Sequence, residues 1–137
     1  MDTVEADNII SALRSARAAV KAGISAGRAQ CYDTGWNIWR DFCDELGLDP
    51  FLKESEDKIE KLQIFVARVR SGELAPRGHS IKSRSVEDYL RGVAQTFTGM
   101  GLRDPRLSKH EDKIDIRIRR MLSGWGKEDP PPQRVKP

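Results

Sequence analysis

The chain has 137 residues, 38% of them hydrophobic and 33% charged, which is enough for one domain with a core of its own. No apolar run approaches the roughly 20 residues of a bilayer span. The N-terminus lacks the apolar centre of a secretory signal, and Asp2, Glu5 and Asp7 argue against a mitochondrial presequence. The expectation is a cytoplasmic or nuclear protein without a membrane partner. The net charge of +3 is unevenly placed: residues 1–75 hold 10 basic against 13 acidic side chains, and residues 76–137 hold 14 against 8. A basic second half suits a polyanion-binding face, although ordinary solvated helix surface explains charge alone equally well.

Helical periodicity runs through almost the whole chain. The first segment, about Asp7 to Ala22, sets Ile9, Leu13, Ala16 and Val20 on one side. It is rich in alanine, so it forms helix readily but has little to bury. Gly23 and Gly27 bracket a break. The second segment, about Ala26 to Leu46, is the most strongly patterned. Tyr32, Gly35, Trp39, Phe42, Cys43 and Leu46 fall on one helical stripe, Gly47 is the expected stop and Asp49-Pro50 the exit.

The third segment follows Ser55, with Glu56 and Asp57 in its first turn, where the helix dipole favours acids. Ile59, Leu62, Phe65, Val66 and Val69 form its inner side, and it ends near Ser71-Gly72. The fourth is announced by Ser80 and Ser83, either of which is a candidate cap, though neither has the acid of a full capping box. Val86, Tyr89, Leu90, Val93, Phe97 and Met100 make its apolar stripe and Gly101 its stop; Arg84, Asp88, Arg91, Gln95 and Thr98 lie on the opposite side.

The fifth covers about Glu111 to Trp125, with Ile114, Ile118, Met121, Leu122 and Trp125 at helical spacing. Within it "KIDIRIR" alternates and locally imitates a strand, but the longer window favours helix. After Gly126, "KEDPPPQRVKP" reads as an extended linker. The outcome is an all-α bundle of four or five helices, divided into an N-terminal Ala-rich helix (1–23), a helical domain (24–126) and a Pro-rich linker (127–137).

Catalytic arrangements are hard to find. His79 and His110 both fall in loops, without a metal-ligand partner at useful spacing. There is no Gly-rich phosphate loop, H-E-x-x-H or nucleophile elbow. Cys31 and Cys43 share one helix, which disfavours a disulfide framework or a zinc site. Cys43 sits on the core stripe beside Phe42, whereas Cys31 is better placed to face outward. Acid pairs such as Asp44-Glu45 read as helix surface. The expectation is a non-enzyme with no catalytic residue, metal, cofactor or small-molecule substrate.

Binding remains. The start of the fourth helix carries Lys82, Arg84 and Ser85, where free backbone N–H groups and the dipole attract phosphate. Its exposed stripe offers Arg91 and Gln95, side-chain types that reach base edges in a major groove. Capping alone also accounts for the serines.

The order of segments carries a resemblance. "QCYDTGWNIWRDFCDELGLDP" resembles the second helix of the N-terminal core-binding domain of tyrosine recombinases (the phage integrase, Cre and Xer group), with Tyr32, Trp39, Phe42, Cys43 and Gly47 fitting its aromatic, Cys and Gly pattern. "KIEKLQIFVARVRSGEL" resembles the following bracing helix. "HSIKSRSVEDYLRGVAQTFTGMGLRDP" resembles the next, and "KIDIRIRRMLSGWGKEDPPPQRVKP" is similar to the last helix with its linker. The series covers about residues 24–137, and the Ala-rich first helix matches an extra helix of Cre-like members in position.

This resemblance implies a SAM-like orthogonal bundle that clamps double-stranded DNA through its second and fourth helices in support of site-specific recombination or integration. By position, the DNA-binding residues would be Gln30, Cys31, Thr34 and Asn37 on the second helix. On the fourth they would be Lys82, Arg84, Ser85, Arg91 and Gln95, and in the linker Arg134 and Lys136. Asp88 departs from that pattern, since an acid repels phosphate; it would accept from a cytosine amino group or point away. The first and last helices would meet neighbouring copies in a homo-oligomer on DNA. The family's strand-cleaving Arg, Lys, His-x-x-Arg and nucleophilic Tyr have no counterpart here, because Tyr32 and Tyr89 lie on core stripes, so the chain would be an excised domain or a stand-alone derivative. The alternative from another class is a helical protein-interaction module with no nucleic-acid role, which the acidic first half and thin first helix fit.

Overall fold

In the computed structural model of the chain, which describes residues 3–22 and 26–130, five helices follow one another: α1 (Thr3–Ala22), α2 (Ala26–Leu46), α3 (Lys58–Ser71), α4 (Ser83–Gly99) and α5 (Ile116–Glu128). Among the described residues the fold is all-helical, with one isolated antiparallel bridge, Leu107 to Ile114, as its only β feature. α2 has the bounds expected from its periodicity. It turns off at Gly47 (φ 69°), where the Leu48 N–H reaches back to the Cys43 carbonyl at 2.8 Å. α3 starts two residues later than expected, because Asp57 is its cap rather than part of its first turn: the Asp57 carboxylate accepts the Glu60 N–H at 3.2 Å.

The core lies between α2, α3 and α4, closed at one side by α5. Trp39, Phe42, Phe65, Leu62, Val66, Val86, Leu90, Val93, Phe97 and Ile118 are all fully or almost fully buried. Trp39 stands edge-on to Phe65 (centroids 5.2 Å apart) and tilts over Phe42 at 5.7 Å. Such aromatic pairs add stabilisation beyond area burial. The indole N–H of Trp39 donates to the Pro50 carbonyl at 2.8 Å, so the polar edge of the largest core side chain is satisfied.

Two expected core residues lie outside it. Leu46 and Met100 are 45% and 50% exposed, because each sits at the last turn of its helix, past the point where a neighbouring helix covers the stripe. α1 is thinner still: Val4, Ile9, Ile10 and Leu13 remain 46–67% exposed.

The starts of α4 and α5 differ from the sequence-based expectation, as does the end of α5. α4 begins at Ser83 after Lys82, and neither Ser80 nor Ser83 caps it. The Ser83 hydroxyl instead donates to the Leu122 carbonyl of α5 at 2.6 Å, and the Ser83 N–H donates to the Asp129 carboxylate at 2.7 Å. The acid that completes this helix start therefore lies 46 residues along the chain.

α5 starts at Ile116 rather than Glu111, because Asp115 caps it by accepting the Arg117 N–H at 2.9 Å. The preceding loop is held in non-helical form: the Asp115 N–H donates to the Arg106 carbonyl at 2.8 Å and the Ser108 N–H to the Lys113 carbonyl at 2.9 Å. The strand-like alternation of "KIDIRIR" survives only as Ile114 in the bridge. α5 also runs past residue 126, since Lys127 and Glu128 complete it and Asp129 is anchored by Arg70 at 2.7 Å.

Candidate nucleic-acid interface

α2 and α4 make the most intimate contact in the molecule, and two glycines make it possible. A Cβ built on Gly35 would stand 2.5 Å from the Tyr89 Cα and 2.8 Å from its carbonyl carbon; one on Gly92 would stand 2.6 Å and 2.8 Å from the same atoms of Tyr32. Real Cβ atoms essentially never come so close to backbone. Each helix thus carries a Tyr-x-x-Gly unit, Tyr32 to Gly35 and Tyr89 to Gly92, and each glycine seats on the backbone of the other helix's tyrosine. The pairing is reciprocal, and it fixes how far apart two backbones sit before any side chain is considered.

Around this crossing the candidate residues separate into groups. On α2, Gln30 and Asn37 are exposed, while Thr34 is half-buried and its hydroxyl donates back to the Gln30 carbonyl at 2.9 Å. Cys31 is half-buried rather than outward, and its thiol is pushed up first by burial and then by the charge of Asp88. It is therefore a weak nucleophile. Cys43 is fully buried, with burial raising its thiol to about 12.

On α4, Lys82, Arg84 and Gln95 are exposed and Ser85 is half-buried, its backbone N–H bonded to the Lys82 carbonyl at 3.0 Å. Arg91 is committed internally. Its guanidinium reaches Glu87 at 3.3 Å and Asp88 at 3.5 Å, and it is held charged above all by a hydrogen bond with the Tyr32 side chain. This resolves Asp88: it pairs with Arg91 across one turn and has no need of a cytosine. It also removes Arg91 as a free reader of base edges.

Free N–H groups at the start of α4 are fewer than the sequence implies. Asp129 occupies the Ser83 N–H, and its own carboxyl is held below the ordinary range by that bond first and by Arg70 second. Arg134 and Lys136 lie outside the described residues.

The positive charge of the second half collects elsewhere than on the α2–α4 face. An open groove of about 570 Å³ runs between the first turn of α4 and the side of α5, bordered by Lys82, Arg84, Arg106 and Arg119 with Glu87 and Asp129. Sequence reasoning missed Arg106 and Arg119. The available signal was the spacing of Arg119, Leu122, Ser123 and Gly126 along one side of the fifth helix, with a glycine leaving open space beside a cation. Gln95 faces a different hollow of about 630 Å³, shared with Leu13, Ala16 and Arg17 of α1 and with Ala29 and Asp33 of α2. The candidate residues therefore do not form a single cluster. Lys82 and Arg84 belong to the α5 side, Gln95 to the α1 side, and Cys31 to the crossing.

Comparison with protein-family models, with curated proteins and with solved structures found no match to this chain. Among the described residues no group of three or more His, Cys, Asp or Glu side chains is arranged to hold a metal ion, and no helix is long and apolar enough to cross a membrane.

Proposed function

We propose that this chain is a DNA-binding helical domain of the core-binding, SAM-like kind that tyrosine recombinases carry, contacting duplex DNA and performing no chemistry itself. The observation that carries the reading is the glycine-seated crossing of α2 and α4 with polar and basic side chains left on its outer surfaces. Two helices locked backbone to backbone form a rigid unit, from which a DNA major groove admits one helix at a time. Gln30, Asn37 and Gln95 offer amide groups of the type that pair bidentately with adenine, and Lys82 and Arg84 offer phosphate contacts at the rim. Arg91, braced by Glu87, Asp88 and Tyr32, serves the geometry of the unit rather than its contact with bases.

Affinity should come mostly from phosphate neutralisation and therefore fall steeply with salt. The test is a titration of labelled duplex DNA followed by fluorescence anisotropy at about 50 and 200 mM salt. Binding at the lower salt that weakens sharply at the higher supports the reading, and absence of binding at the lower salt sinks it.

The second reading is a protein-interaction module. Its specific support is α1, whose Ile9, Ile10 and Leu13 lie on one side and stay about half exposed. Concentration-dependent self-association without retention on DNA is the result that would favour it.

A further inference from the structure

We infer that the groove between the start of α4 and α5 is a cradle for the DNA sugar-phosphate backbone, so that α5 is a DNA-contacting element on that side. The inference rests on the DNA-binding reading above and assigns it a second surface. Four cations border the groove, Lys82, Arg84, Arg106 and Arg119, against two carboxylates, Glu87 and Asp129.

The two acids are already engaged. Asp129 accepts from the Ser83 N–H and from Arg70, both at 2.7 Å, and Glu87 pairs with Arg91 at 3.3 Å. The cations are engaged less completely. Arg119 is exposed and uses its Nε to bond the Ile114 carbonyl at 2.9 Å, which ties the side chain down by one nitrogen. Arg106 is clamped on Asp104 at 2.8 Å, only 15% exposed, and so shapes the wall more than it meets a ligand. Lys82 and Arg84 are exposed on the opposite rim.

Why a polymer backbone rather than a compact anion? The groove is open, with Lys82 and Arg84 on its α4 rim and Arg119 on its α5 side. The cations also come from two helices and a loop, which spreads positive charge along the path rather than focusing it on one point. The electrostatic terms favour this surface over the α2–α4 face, where α2 carries Arg28 and Arg40 against Asp33, Asp41, Asp44 and Glu45.

Matched pairs of charge removals provide the test. Lys82→Gln with Arg119→Gln takes two positive charges from the groove. Lys127→Gln with Arg120→Gln takes two from exposed positions of α5 that do not border it. The readout is duplex affinity across salt, with circular dichroism and thermal melting of each variant alongside. Counterion release predicts that the groove pair lowers the slope of log K against log salt by about 2 and weakens binding on the order of 100-fold at about 50 mM salt, with little change of slope in the control pair.

Equal effects of both pairs, or no effect of the groove pair, would overturn the cradle while leaving the DNA-binding reading in place. A wild-type chain that binds no duplex overturns both. Should Arg119→Gln perturb folding through its Ile114 contact, Lys82→Gln against Lys127→Gln makes the same comparison, with a slope difference of about 1 expected and none overturning the cradle.

Discussion

Replacing Gly92 by alanine adds one methyl group, and the structure says where it would go. The new carbon would lie 2.6 Å from the Tyr32 Cα, with the Tyr32 carbonyl group also in the way, where ordinary carbon–carbon contact needs about 3.5–4.0 Å. Backbone of a packed helix cannot swing aside as a side-chain tip can, so α2 and α4 must separate locally by about 1 Å. A gap of that size forfeits a quarter to a half of each dispersion contact it opens. Overpacking of this kind costs about 1–3 kcal/mol, and the upper end applies because both partners are main chain. Alanine returns about 1 kcal/mol through its better helix propensity.

The net expectation for Gly92→Ala is a loss of about 2 kcal/mol, a melting temperature lower by roughly 5–10 °C. Gly35→Ala should behave alike, because its Cβ meets Tyr89 in the same way. The double variant should lose less than the sum, since the first methyl has already opened the crossing. Gly124→Ala in α5 is the control: nothing lies within 4 Å of its Cβ, so propensity alone acts and stability rises by up to about 1 kcal/mol. Urea denaturation of the four proteins measures all of this. A Gly92→Ala protein as stable as wild type would refute the account of the crossing.

The same packing sets other expectations. Phe65→Ala, which removes a fully buried ring from between Trp39 and Phe42, should cost about 3–5 kcal/mol in the same denaturation assay. Deleting residues 1–22 should cost less than that single substitution, because Val4, Ile9, Ile10 and Leu13 are each about half exposed or more. With a thiol reagent at about pH 8, Cys43 should label only on unfolding and Cys31 more slowly than a free thiol, since both are pushed up by burial; fast labelling of Cys43 in the native protein would contradict its place in the core.

Asp129 has a carboxyl depressed in the folded state, so its stabilisation is complete above the ordinary carboxylate pKa of about 3.9 and disappears as pH falls through the lowered value. Asp129→Asn should therefore lower the urea midpoint at neutral pH and flatten its decline below about pH 4, and an acid limb as steep as wild type would refute the assignment.

The sequence made the helices legible where one face was both long and apolar. α2 is the clearest case, since six residues of one stripe fixed its phase and Gly47 its end. What misled was any feature decided by a distant residue. Ser83 looks like a cap, but Asp129 performs that task and frees the serine hydroxyl for Leu122. Ile114 extends the periodicity of the fifth helix, yet Asp115 caps after it and the bridge to Leu107 takes it out of the helix.

The candidate site was legible in part for the same reason. Exposure of Gln30, Asn37, Lys82, Arg84 and Gln95 follows from helical phase alone. That Arg91 is consumed by Glu87, Asp88 and Tyr32, and that the open basic surface lies against α5, needed the helices to be placed in space. Gly35 was on the correct stripe, but its reason, the Tyr89 backbone, belongs to another helix. The repeated Tyr-x-x-Gly spacing was a hint in the residues themselves that these two segments meet.

The central claim is that duplex DNA is contacted by α2, by the start of α4 and by the adjoining side of α5. Backbone amide shifts of the isotopically labelled chain, followed while duplex DNA is added at low salt, test it most directly. The account predicts perturbations concentrated at Gln30 to Asn37, Lys82 to Arg84 and Arg119, reversed by added salt, with α1 largely silent. Unchanged spectra at excess duplex, or shifts confined to α1, would contradict it.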